Sequence, residues 1–142
     1  MIEQIKTRIL KKTNELDISD TRVNEIIKLL ESRIDQKLIR SFFVSNSTES
    51  YGKDLVDVPI QVCILTPRFL FELSFGENRL KYDYTRLVDL GIPEIEIKND
   101  KVKLEFAMRI PNRIAKIITY NKNEFGDLLA FADTYIKLYF FE

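Results

Sequence analysis

The spacing of apolar residues changes near residue 45, so the two parts of this chain build different kinds of element. Before the change the period is helical. Ile2, Ile5, Ile9 and Leu16 line one face of a short first helix. Ser19 stands where an N-cap belongs, with Ile18 and Val23 at the two positions of a hydrophobic staple. Val23, Ile26, Ile27, Leu30, Ile34 and Leu38 then carry one apolar face through a second helix, which Phe42, Phe43 and Val44 close as a compact cluster. Ser45 to Lys53 is polar and reads as a connecting loop.

Beyond that loop the period is two, the mark of strands with unlike faces. Val58, Ile60, Val62 and Ile64 alternate, then Phe69, Phe71, Leu73 and Phe75, then Leu80, Tyr82 and Tyr84. Thr66-Pro67 and Gly76-Glu77-Asn78 separate these three runs as turns. Leu87 to Leu90 reads as a short fourth strand, closed by Gly91-Ile92-Pro93. The next two strands can be registered by arithmetic. A two-residue turn at Asn99-Asp100 sets Ile97 opposite Val102, Glu96 opposite Lys103 and Ile95 opposite Leu104. Every apolar residue then meets an apolar one, and a slip of one residue would turn the whole set outward. Arg109 to Arg113 reads as a loop and Ile114 to Tyr120 as a seventh strand. Asn123 is placed to cap a last helix, whose stripe runs Phe125, Leu128, Leu129, Ala132, Ile136, Tyr139 and Phe140. Phe131 and Tyr135 fall nearer the edge of that stripe, where they could mark a partner surface.

The expected fold is therefore α+β. An N-terminal helical segment occupies residues 1–48. Residues 55–142 form a seven-stranded antiparallel barrel capped by the C-terminal helix. The helical pair would dock on the barrel or pair with a second copy.

Composition removes most catalytic chemistry. The 142 residues hold no His and no Trp, and one Cys, Cys63. A nucleophilic Cys wants a His base, so Cys63 reads as packing. Zinc sites of the Cys/His kind cannot be written. Four glycines, at 52, 76, 91 and 126, form no phosphate loop. Glu94 and Glu96 could serve as paired carboxylates, but the hairpin register gives Glu96 a simpler role beside Lys103. No catalytic residue, cofactor or metal is expected. Twenty-two basic and twenty-two acidic residues cancel, which argues against nucleic-acid binding by bulk charge. There is no apolar leader and no run long enough to span a bilayer, and a lone Cys suits a reducing compartment. The expected location is the cytoplasm. One stretch stands out: Arg109, Arg113, Lys116 and Lys122 lie between Phe106 and Asn123 with no acid among them. They form either an ordinary solvated face or a site for an anion or an acidic partner segment.

Seven strands followed by a C-terminal helix resembles the pleckstrin-homology (PH)-like domains. Ile64-Leu65-Thr66-Pro67-Arg68-Phe69-Leu70-Phe71-Glu72-Leu73 looks like their early hairpin, and Tyr82 to Leu90 like the strand that follows. The resemblance covers residues 55–142 and implies a domain that binds instead of catalysing. Its ligand would be a protein segment, a lipid headgroup or another anion. The hairpin loop carries Arg68 and little other positive charge, a departure from the phosphoinositide-binding pattern. The expected function is a non-enzymatic adaptor with a protein partner or a second copy, or an anionic ligand. The alternative is a small-ligand or lipid carrier with a cavity under the last helix.

Overall fold

The computed structural model describes residues 1–52, 56–108 and 114–141. Helix α1 is Ile2–Thr13 and α2 is Asp20–Arg33. Strand β1 is Ser41–Asn46, followed at once by the short helix α3, Ser47–Tyr51. Then come β2 (Ile60–Leu65), β3 (Phe69–Phe75), β4 (Leu80–Arg86), β5 (Leu90–Ile97), β6 (Val102–Met108) and β7 (Ile114–Thr119). Helix α4, Phe125–Phe141, ends the described chain. The strands form two antiparallel sheets, ordered β1-β2-β3-β4 and β5-β6-β7. The α+β class holds, but the single closed barrel does not.

Two local structures keep the barrel open. A 3₁₀ helix at Leu87–Asp89 interrupts the path from β4 to β5, so the expected fourth strand is a turn running into β5. At the other seam, α3 occupies the edge of β7. The Tyr51 hydroxyl accepts from the Lys116 N–H at 2.8 Å and the Ser50 hydroxyl from the Ile118 N–H at 2.9 Å. These are edge donors that a closing strand would have used.

Missing from the expectation is β1. Helix α2 stops at Arg33 because Ile34 is already extended, at φ −134° and ψ 130°. Phe42, Phe43 and Val44 are therefore strand residues, paired with Ile64, Cys63 and Val62. Asn46 caps α3 within what was expected to be loop. The Asn99-Asp100 hairpin has the expected register throughout: Ile97 with Val102, Glu96 with Lys103, Ile95 with Leu104. The Glu96 carboxylate, however, lies 3.6 Å from the ammonium groups of both Lys98 and Lys101, while Lys103 turns to Glu105.

The first sheet is buried on both faces along β2. One face, with Val44, Ile60, Val62, Ile64, Phe71, Leu73 and Phe75, packs under α1 and α2. The helical pair thus docks on the sheet through Ile5, Ile9, Val23, Ile26 and Leu30. Ser19 caps α2 as expected, accepting from the Arg22 N–H at 3.1 Å. Glu77, from the β3–β4 turn, accepts 2.8 Å bonds from the Ser19 N–H and hydroxyl, and these hold its carboxyl below the usual range. That turn needs Gly76, since a Cβ there would sit 2.2 Å from the Asp57 carbonyl oxygen.

The other face, with Phe43, Cys63, Leu65 and Leu70, meets the second sheet and α4. Here the expected phase of α4 is corrected. Its buried residues are Leu128, Phe131, Ala132, Tyr135 and Leu138, whereas Phe140 is half exposed. Phe131 and Tyr135 are core, not partner surface.

Candidate functional site

Strand β1 is an edge strand, and α1 and α4 both pack against it. Between the three lies a cleft of about 530 Å³. Its base is Ser41 to Val44. Gln4, Thr7, Arg8 and Lys11 of α1 form one wall; Glu124, Asp127 and Ala130 form the other, and Arg40 stands at the start of the strand. The volume is in the range of small-ligand sites.

The wall charges divide into two groups. Arg8 pairs with Asp127 at 3.0 Å, and Lys12 with Glu124 at 2.7 Å. These rungs tie α1 to the start of α4. The inner rung is well covered, with side chains 18% and 12% exposed, and the Thr119 hydroxyl adds a 3.0 Å bond to Glu124. Lys11 and Arg40 form no ion pair among the described residues. Arg40 spends one nitrogen on the carbonyls of Lys37 and Leu38, at 3.2 and 3.3 Å. Three cations and two acids therefore line the cleft, and the positive excess sits on the α1 and β1 side.

Glu49 of α3 belongs to the inner ionic group. Burial pushes its carboxyl above the ordinary 4.5, Lys12 opposes the rise and Glu124 adds to it. A raised carboxyl stabilises the fold below its unfolded pKa, and that contribution is lost as pH rises through the folded value. Glu49→Gln is expected to be more stable than the native protein at pH 7, with the gain vanishing near pH 4. Urea denaturation at the two pH values measures it.

Of the residues marked in the sequence, Arg109 and Arg113 lie outside the described residues. Lys116 is half-buried on β7, its ammonium 5.8 Å from the centre of the Tyr51 ring. Lys122 is exposed in the 3₁₀ helix before α4. Cys63 is fully buried, and burial pushes its thiol up, the reverse of a nucleophile's environment. Burial likewise raises Tyr51. Among the described residues no three Cys, Asp or Glu converge as a metal site, and no helix is long and apolar enough to cross a membrane.

The sequence reading passed over Arg8, Lys11, Arg40, Glu124 and Asp127. Each looks like an ordinary solvated charge on its own element. The Arg8–Lys12 spacing of four and the Glu124–Asp127 spacing of three were the available signal, since each pair shares a helical face. Nothing local joins the two faces. Comparison of the chain with known protein families, with curated proteins and with solved structures finds no match.

Proposed function

We propose that this protein is a non-enzymatic, cytosolic binding module that recognises a protein segment or an anionic ligand. The observation that carries the reading is the ligand-sized cleft whose α1 and β1 side bears Arg8, Lys11 and Arg40. Charge-assisted hydrogen bonds from such groups suit a carboxylate or phosphate. The lone buried Cys63 supports the location. The PH-like kinship stays part of this proposal although, among the described residues, 55–142 hold six strands, β2 to β7, before the terminal helix, and the seventh strand, β1, precedes them. A carrier role is the second reading, because the cleft borders the terminal helix at Glu124, Asp127 and Ala130.

The test compares two double variants. Lys11→Glu with Arg40→Glu should abolish retention of the bound species seen by native mass spectrometry or pull-down from the source cell. Both side chains are exposed, so the thermal midpoint should stay nearly unchanged. Arg113→Glu with Lys116→Glu should have no such effect. The reverse pattern would move the site to the 109–122 stretch, and full retention by both variants would remove the basic-site reading.

A further inference from the structure

Two main-chain hydrogen bonds at the ends of β1 and β2, with the register between them, give the direction of the main-chain groups in β1. Thr66 N–H donates to Phe69 and Ser47 N–H to Pro59. In an antiparallel ladder the direction alternates from residue to residue. With the register of β1 and β2, this turns the N–H and C=O of Ser41, Phe43 and Ser45 toward β2. Those of Phe42 and Val44 point away, to the open edge, and both residues line the cleft. At the second sheet's edge, the corresponding donors of β7 are taken by Ser50 and Tyr51. At the β1 edge nothing among the described residues plays that part.

We propose that the outer edge of β1 takes an extended segment of another protein, with acidic side chains at alternate positions, as a fifth strand of the first sheet. Main-chain groups at every second residue match an incoming strand and not a compact anion. Side chains of such a strand alternate between its two faces. One set would turn toward α1, where Lys11 has no ion pair among the described residues and Arg8, paired with Asp127, stands beside it. The other would turn toward α4, where Glu124, Asp127 and Ala130 favour small neutral side chains. Charge disfavours a second copy of this chain as the occupant. Its β1, Ser-Phe-Phe-Val-Ser-Asn, carries no acid, and edge-to-edge pairing would bring two sets of Lys11 and Arg40 together. The proposal rests on the binding-module reading and specifies its ligand.

The probe is an acetylated, amidated heptapeptide in which glutamate and threonine alternate, titrated calorimetrically into the whole protein. Two further peptides carry N-methyl groups, one on every threonine and one on every glutamate. Only one of these sets of N–H groups faces β1, so one methylated peptide should bind about tenfold weaker or worse and the other nearly as well as the parent. A lysine-for-glutamate peptide should bind the native protein at least about tenfold more weakly, since charge-assisted bonds are lost. It should be preferred by the Lys11→Glu, Arg40→Glu variant, a reversal that also shows the variant folded. Equal binding by both methylated peptides would overturn strand addition and leave the anionic-ligand reading standing. Absence of saturable binding by the parent peptide, or equal binding of the lysine peptide, would overturn the proposal. If native mass spectrometry also shows no bound species, the broader reading falls with it.

Discussion

Tyr135→Ala is expected to destabilise the protein by about 4 kcal/mol, the scale of a deleted core aromatic. Tyr135 is fully buried, against the Phe106 ring at 4.5 Å and the Tyr139 ring at 5.6 Å. Its hydroxyl reaches the Gly91 carbonyl at 2.7 Å, where the β5–β6 register shifts between Leu90 and Pro93. A Cβ at Gly91 would lie 2.6 Å from the Ala107 carbonyl oxygen, so the strand is closely fitted there. Tyr135→Phe keeps the ring and removes that bond, and should cost about 1 kcal/mol. Ile136→Ala, one residue further around the helix and only half-buried, should also cost about 1 kcal/mol. Urea denaturation of the three variants fixes the phase of α4. Equal losses from Tyr135→Ala and Ile136→Ala would mean that the buried stripe is not 128-131-132-135-138.

That phase was hidden for a physical reason. Phe125 to Phe141 is apolar nearly all round, with Asp127, Asp133, Thr134 and Lys137 as its main polar breaks. A helix of that kind has no single stripe to read, and tertiary packing chooses the face. The 94–105 hairpin was legible because a two-residue turn and strict alternation leave one register that keeps Val102, Leu104 and Phe106 inside. Strand β1 was not, because three consecutive apolar residues serve two buried faces. Phe43 joins the core around α4 while Val44 joins the one under α1 and α2. A polar–apolar alternation never appears, so the segment reads as the end of a helix. The cleft is the least legible feature of all. Its charges come from residues 8, 11, 40, 124 and 127, and they meet only because β1 is an edge between two helices.

Lys12→Met tests the ionic ladder that ties those helices together, with an expected loss of about 3 kcal/mol at pH 7. The methionine keeps much of the aliphatic bulk, so the loss would be electrostatic. Glu124, 12% exposed, would be left with the Thr119 hydroxyl as its remaining partner among the described residues. Glu49, already raised by burial, would lose the one cation that lowers it and keep the repulsion of Glu124. Glu49 would then favour protonation in the folded state more strongly. By linkage, its stabilising effect is full below the unfolded value and is lost as pH rises through the raised folded value. The variant should therefore lie closer to the native protein at pH 4 than at pH 7. Adding Glu124→Gln to Lys12→Met should restore most of the loss, because the covered Glu124 site then carries no charge to be left without Lys12, and Glu49 is freed of its repulsion. A loss under about 0.5 kcal/mol, flat with pH, is what an exposed pair would give. In that case the junction of α1 and α4 would depend on packing alone, and the cleft between them would have no ionic hinge.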